Sequence, residues 1–432
     1  MRKRDEGSKQ RLRRHLLGWA QNLVIVLLLV STVALVAESG MLDLSAVKGA
    51  GSEQNSVDRH AAYTAAAKPM CVVLTPESGM HSAIMYEADA LELAYERYSS
   101  TLAEALGSSG EPEQITQEQW EAALSGPGVY FDYYGDYQLS ILAIWLGTEM
   151  SGEASGHTAR RFCLAIEGED VYLCYIRERG EGGYYRCATA VSAADLLGRV
   201  SESMPNGAEY NFELDEPLSD IDRYMVILSS DVNIESASAS NSLPSADTDD
   251  IMSKLGMNSY LALSYPESDG GTVKIEGDAT LKLGVDGELR YSRRVLESEE
   301  GTRLSPTDAI ELARQLVEAT AGSAAGDAEL WLSYIYFDRE TQEYTLNFDY
   351  VLSGLPVSIQ GRDNAVEIVI CGDSIVSAAM LFRSYELLSS PVTPSPYPSL
   401  IAATLVQSQG GGEPRLCYVD RPEGMSAEWR IV

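Results

Sequence analysis

Apolar residues change their spacing several times along this chain, and each change marks a different kind of element. Residues 16–37 carry no charge, and 23–30 are apolar without a break. As a helix rising 1.5 Å per residue, that stretch would span roughly 33 Å, about one bilayer core. Residues 70–74 form a short strand-like run. Leu91, Ala94, Tyr95, Tyr98, Leu102, Ala105 and Leu106 then recur at helical spacing before Gly107,. A second helix is predicted over 115–124, with Trp120 on its apolar face and Ser125-Gly126-Pro127-Gly128 ending it,. Further on, Phe162, Leu164 and Ile166 alternate with Cys163 and Ala165, and Val171, Leu173 and Tyr175 alternate with Tyr172 and Cys174. Folding at the intervening turn, 167–170, predicts Phe162 opposite Tyr175, Leu164 opposite Leu173 and Ile166 opposite Val171, giving one apolar face. The same register sets Cys163 against Cys174 on the other face. A third strand at 184–188 would bring Cys187 beside Cys174.

Residues 236–250 are rich in Ser, Ala and Asp, and read as a low-complexity loop between two halves,. Strands are predicted beyond it at 260–265, 273–275, 279–283 and 288–291, with Asp269-Gly270 and Asp286-Gly287 as turns,. Ser305-Pro306-Thr307-Asp308 has a capping-box pattern with Pro at the first helical position, opening a helix that buries Ile310, Ala313, Leu316 and Val317,. Strands are expected next at 330–337, 344–352, 366–370 and 374–382, then a Pro-rich stretch at 391–398, a short helix over 400–406 and strands at 416–419 and 428–432. A helix succeeded by antiparallel strands wrapped over it is an α+β arrangement of the cystatin or PepSY kind. The expected organisation is a tail (1–15), a transmembrane helix (16–37), a flexible stalk (38–68), an N-terminal α+β domain (69–235), a linker (236–250), a β-meander (251–303) and a C-terminal α+β domain (304–432).

Charge fixes the orientation expected of the apolar run. Arg2, Lys3, Arg4, Lys9, Arg11, Arg13 and Arg14 precede it, against only Asp5 and Glu6. This bias predicts a cytoplasmic N-terminus, with everything after residue 38 outside. A cleaved signal is the rival reading, but Leu35 would stand at −3 of the best exit, before Ala37 and Glu38, where a small residue is needed,. The whole chain has net charge −32; without its first fifteen residues it holds 25 basic and 62 acidic residues, net −37. Such a surface repels nucleic acid and anionic lipid, so neither is expected as a ligand of the exported part.

Little in the sequence points to catalysis. The six cysteines include no CxxC pair, and His60, His81 and His157 are isolated,. Small buried thiols account for Cys163, Cys174 and Cys187 more simply than a strained cross-strand disulfide, although that bond is sterically open to them. Ser45-Ala46-Val47-Lys48 matches S-x-x-K, but it lies in the stalk with no K-T-G or S-D-N after it,. No G-x-S-x-G, H-E-x-x-H or phosphate-cradling Gly loop occurs,. Adjacent acids such as Glu299-Glu300 do not supply two carboxylates across a cleft. Asp247, Asp249 and Asp250 lack the Gly and distal Glu of an EF-hand, and fit a solvated helix N-terminus better,. No catalytic, cofactor or metal-binding residue is therefore expected. Candidate partner-binding residues are Ser31 and Thr32, which could hydrogen-bond across helices deep in the membrane, and Tyr130, Tyr133 and Tyr134 in a Tyr-rich stretch. Tyrosine is enriched at interfaces; an irregular core segment is the competing, and favoured, account of that stretch.

The order of motifs resembles a known family. Met257-Asn258-Ser259-Tyr260, Tyr265-Pro266-Glu267-Ser268-Asp269-Gly270-Gly271-Thr272, Thr280-Leu281-Lys282-Leu283 and Asp286-Gly287-Glu288-Leu289-Arg290-Tyr291 look like YycH-type proteins. Phe348-Asp349-Tyr350-Val351-Leu352-Ser353-Gly354-Leu355-Pro356-Val357 is similar to an F-Y-x-x-x-G-x-P-V element of their C-terminal YycI/YycH-like domain, and the Tyr418 and Trp429 pair resembles their ends. The resemblance implies a non-enzymatic regulator beside a sensor histidine kinase that governs cell-wall metabolism in Gram-positive bacteria. It implies association through the membrane helix and the exported domains, often with a YycI-like companion, and offers no catalytic residues. This chain departs from the family in its acidic exported part and its Ala/Ser-rich stalk. A PepSY-like inhibitor or binding module for a secreted protease or other envelope enzyme is the alternative.

Overall fold

The computed structural model describes residues 68–178, 182–228, 232, 234–294, 303–388, 398–408 and 410–431. The expected tail and membrane helix, Ser31 and Thr32, and all of the stalk but Lys68 lie outside the described residues. Among those described, no helix is long and apolar enough to cross a membrane.

The first half contains, in order, β1 (Pro69–Thr75), β2 (Ser82–Met85), α1 (Ala88–Ser108), β3 (Glu113–Ile115), α2 (Gln117–Ser125), β4 (Gly128–Gln138), α3 (Leu139–Trp145), β5 (Thr158–Glu167), β6 (Asp170–Arg177), β7 (Gly183–Ala188), α4 (Ala193–Val200), β8 (Ala208–Tyr210) and β9 (Val226–Leu228). Seven strands make one antiparallel sheet in the order β2-β1-β4-β5-β6-β7-β3. The apolar periodicity of α1 buries Leu91, Ala94, Tyr95, Tyr98, Leu102, Ala105 and Leu106. At the start of α2, Thr116 accepts from the Gln119 backbone while the Gln119 side chain accepts from Thr116 N–H, a reciprocal capping box,.

The β5–β6 register is the expected one: Phe162 faces Tyr175, Leu164 faces Leu173, Ile166 faces Val171 and Cys163 faces Cys174. The placement of Cys187 differs. It lies opposite Leu173, while Arg186 lies opposite Cys174, because β7 pairs one residue out of the register that would join the thiols. A one-residue slip turns a side chain to the other face, and Cys187 accordingly sits by Tyr175. All six cysteines are free. The Tyr-rich stretch belongs to β4, lying between β1 and β5, and its pairing with β5 is broken by an irregularity between Asp132 and Tyr137.

The second half contains β10 (Ser236–Asn241), α5 (Thr248–Lys254), β11 (Leu263–Pro266), β12 (Thr272–Glu276), β13 (Ala279–Leu283), β14 (Glu288–Arg293), α6 (Pro306–Ala319), β15 (Ala328–Asp338), β16 (Glu343–Leu352), β17 (Leu355–Ile359), β18 (Val366–Cys371), β19 (Ser374–Leu381), β20 (Arg383–Leu388), α7 (Ser399–Ser408), β21 (Pro414–Arg421) and β22 (Gly424–Ile431). Ser305 caps α6 by accepting from Asp308 N–H at 3.1 Å. Asp247 caps α5, accepting from the N–H groups of Asp249 and Asp250, the helix-start role expected for that acidic run.

Two expected boundaries are corrected. Ser236–Asn241 is not a linker but a strand, paired antiparallel with β20 from Ser236 opposite Leu388 to Asn241 opposite Arg383. Its Ser/Ala composition carries no strand signal; the backbone of β20 supplies it, and the small Ala237 and Ala239 pack against the core,. Nor is 251–303 a unit separate from the strands C-terminal to it. β14 pairs with β19, so the meander and the later strands form one eleven-stranded sheet ordered β11-β12-β13-β14-β19-β18-β16-β17-β21-β22, with β15 on the other side of β16.

That sheet forks along β16. Its first half, 343–348, pairs with β18, whereas Val351 and Leu352 pair with β17, which runs parallel to β21. Asp349 sits at the fork and closes it, accepting Ala365 N–H at 3.0 Å through Oδ1 and the Tyr134 hydroxyl at 3.3 Å through Oδ2. Burial pushes the Asp349 carboxyl above the usual range, and hydrogen bonds from Ser333, Ala365 and Tyr134 pull the other way,.

Candidate functional site

Of the tyrosines singled out from the sequence, Tyr130 and Tyr133 fall in the interior of the first sheet. Tyr130 and Tyr133 are 2 % and 1 % exposed. Tyr133 donates to the Tyr95 hydroxyl at 3.3 Å and meets Phe162 edge-on at 5.6 Å between ring centres. Tyr130 packs edge-on against Tyr210. Tyr134, half-buried, bonds to Asp349, and Tyr137 donates to Leu332 O at 2.5 Å. Burial alternates along the second part of β4, where 133, 135 and 137 are buried and 132, 134 and 136 half-buried, whereas 128–131 are buried at every position,. These tyrosines join the two halves and build the core, and Tyr130 and Tyr133 offer no surface to a partner.

Beside them lies a charged junction. Arg160 Nη2 donates to both Glu413 oxygens at 3.0 and 3.1 Å, and Arg160 Nε is 2.9 Å from Asp132 Oδ1, an ion pair off the N–H direction. Arg161, 4 % exposed, stands 3.1 Å from Asp222, 3.5 Å from Glu413, 3.6 Å from Glu178 and 3.7 Å from Asp132. Arg415 adds a 3.0 Å contact to Glu413. Burial alone would raise the Glu413 carboxyl, but the three guanidiniums outweigh it and hold it down at about 2,. Adjacent arginines on an alternating strand give no sequence sign of this network, because its acids come from four separate segments, Asp222 and Glu413 lying 61 and 253 residues away.

A second buried cluster has catalytic residue types without catalytic access. Thr75 Oγ1 and His81 Nδ1 lie 2.8 Å apart, and His81 Nε2 is 2.8 Å from Glu213 Oε2. Ser125 donates to the other Glu213 oxygen at 2.5 Å, and Tyr210 N–H to Oε2 at 3.1 Å. Burial raises the Glu213 carboxyl, and the hydrogen bonds from His81 and Ser125 more than offset it, leaving it below its usual range. Thr75 and His81 are 3 % and 4 % exposed, so a substrate carbonyl has no approach to the hydroxyl. The cluster ties the β1–β2 hairpin to 208–213. Among the described residues, no group of three or more His, Cys, Asp or Glu side chains is placed to hold a metal.

A cleft of about 570 Å³ opens where the start of α1 meets β15 and the β16–β17 turn. Leu91, Trp331, Val351, Leu355 and Tyr418, all buried, give it an apolar floor. Glu87, Asp89, Glu92, Glu235, Asp327 and Glu329 line it as carboxylates, against one lysine, Lys68. The turn is Ser353-Gly354, with φ of +50° and +77°, the two-residue geometry that suits twisted hairpins,. A Cβ on Gly354 would lie 3.3 Å from Ala88 N, so the glycine in the G-x-P-V run lets the turn close on α1. Tyr86, at φ +67°, lines the same cleft.

No protein-family model and no curated protein matches the sequence. Among solved structures, the crystal structure of YycH from Bacillus subtilis superposes with a TM-score of 0.52 at 10% sequence identity, covering 83% of this chain and 92% of that one. The mixed helices and antiparallel sheets described above are thus those of a YycH-type fold.

Proposed function

We propose that this protein is a non-enzymatic, membrane-anchored, extracytoplasmic regulator that modulates a sensor histidine kinase controlling cell-wall metabolism through protein contacts. The observation that carries the reading is the YycH-type fold over 83% of the chain. The basic block ahead of residues 16–37 supports an N-in anchor,. Ser31 and Thr32 are the groups proposed to bond to a kinase helix, with a YycI-like companion as a further partner. Regulation requires that the protein bind two kinase states with unequal affinity, since equal affinity shifts nothing.

A second reading, an inhibitor or binding module for a secreted enzyme of the PepSY kind, is favoured by one feature. Helix α6 lies against β15, β16 and β18, a helix-on-sheet layout in keeping with that class. In-membrane crosslinking separates the two. Full-length protein and a version with residues 16–37 replaced by poly-Leu are crosslinked in cells and purified. A histidine kinase recovered with the native helix and lost with poly-Leu supports regulation through the membrane segment. One secreted enzyme recovered with both, and no kinase, sinks the kinase reading.

A further inference from the structure

We propose that the cleft beside the start of α1 binds an extended peptide segment that sets an apolar side chain on its floor and lysine or arginine side chains against its rim. The floor, built on Trp331, Leu91 and Leu355, is what an apolar anchor needs,. Its volume of about 570 Å³ fits a few side chains rather than a whole domain.

The rim sets the charge of the occupant. Lys68 lies 3.4 Å from Glu92 and 4.0 Å from Glu329, and so serves two of the six carboxylates. Among the described residues no cation pairs with Glu87, Asp89, Glu235 or Asp327. Like charges collected round an apolar floor cost stability unless a cation covers them, and a basic segment supplies one at each end of its anchor. The net −37 of the region after the tail attracts such a segment from a distance,.

The backbone of α1 adds donor sites. Glu87, at its N-cap, makes no side-chain cap, and Ala88, Asp89 and Ala90 line the cleft. First-turn N–H groups lack intrahelical partners, and peptide carbonyls can accept from them. Tyr86 and Ser353, two of the three non-glycine residues with left-handed backbone among those described, flank the same space. Backbone strain of that kind gathers at ligand clamps. The proposal does not depend on the kinase reading, because a synthetic peptide probes it directly.

The test is fluorescence anisotropy of full-length protein in neutral detergent, titrated against a fluorescein-labelled peptide with a central Phe between two lysine pairs. Glu87→Lys with Glu235→Lys should weaken binding by about tenfold or more. Glu149→Lys with Glu340→Lys makes the same change in net charge at exposed positions outside the cleft, and should leave binding within about twofold. With unaltered protein, a peptide carrying Gly for Phe should bind about tenfold more weakly. Absence of binding overturns the proposal. So does equal weakening by both pairs of substitutions, which would mean diffuse attraction to an acidic surface. Displacement of the Phe peptide by spermine at the affinity of the Phe peptide itself would also overturn it, since the cleft would then take any polycation.

Discussion

Arg160 and Glu413 are 253 positions apart and share two hydrogen bonds of 3.0 and 3.1 Å, joining β5 of the first sheet to the segment that opens β21 of the second. Around this pair, Arg161, Arg415, Asp132 and Asp222 hold further contacts, and Tyr134 and Tyr137 cross to Asp349 and Leu332. The two sheets are thus fastened by charge and hydroxyl groups set beside an aromatic core. Buried charges of this kind specify one docking geometry, because a shifted arrangement would leave guanidinium or carboxylate unpaired.

Arg161→Met tests that fastening. Arg161 is 4 % exposed and stands within 4 Å of Asp132, Asp222 and Glu413. Losing its charge leaves those carboxylates short of a cation, and should destabilise by about 3–5 kcal/mol, read from urea unfolding. A loss below about 1 kcal/mol would mean that water enters the junction and screens it.

The same junction sets an acid limit. Glu413 is held at about 2 against an ordinary 4.5, so its folded-state value lies below its unfolded one. Its stabilisation is complete above about 4.5 and is lost as pH falls towards about 2. The difference corresponds to on the order of 3 kcal/mol. Glu413→Gln should flatten the fall in stability across that window, measured by thermal unfolding from about pH 5 downward. Asp349 has the opposite sign: its raised carboxyl favours folding at low pH, and this contribution fades as pH rises through its folded value. An unchanged pH profile in Glu413→Gln would remove Glu413 as the source.

Cys163 and Cys174 face each other in the β5–β6 pair as free thiols. Burial pushes both up, Cys174 to about 12, so neither forms thiolate readily at neutral pH,. Native protein titrated with a thiol-reactive dye should label Cys371, the one half-buried cysteine, first, with the other five reacting only on unfolding. Fewer than six reactive thiols after unfolding without reductant would reveal a disulfide.

The fold was legible in the sequence wherever pattern is local. The β5–β6 register, the Ser305 cap of α6 and the Asp247 cap of α5 each depend on residues within a few positions, and all are seen as expected. Features that depend on distant chain were not legible. Ser236–Asn241 is a strand only because β20 lies beside it. The β6–β7 pairing is local, but alternation leaves a one-residue choice of register open, and Cys187 faces Leu173 rather than Cys174,. Tyr-rich β4 is ambiguous between surface and core in sequence because tyrosine suits both; its neighbours β1 and β5 decide the matter,. The cleft gathers residues from 68 to 418, and no spacing in the chain foretells it.

Gly354 separates conformational strain from contact at the cleft wall. Its φ is +77°, and a Cβ there would stand 3.3 Å from Ala88 N and 3.5 Å from Ala88 Cα. Gly361 has a similar φ of +80° with nothing within 4 Å of an added Cβ. Each Gly→Ala substitution should therefore lose about 1–2 kcal/mol for placing a side chain in the left-handed region. Gly354→Ala alone must also push the β16–β17 turn off the start of α1. We expect its loss of stability, from thermal unfolding, to exceed that of Gly361→Ala, with a wider cleft as the structural result. Equal losses would show that the first turn of α1 yields without cost, and that the turn does not fix the cleft wall.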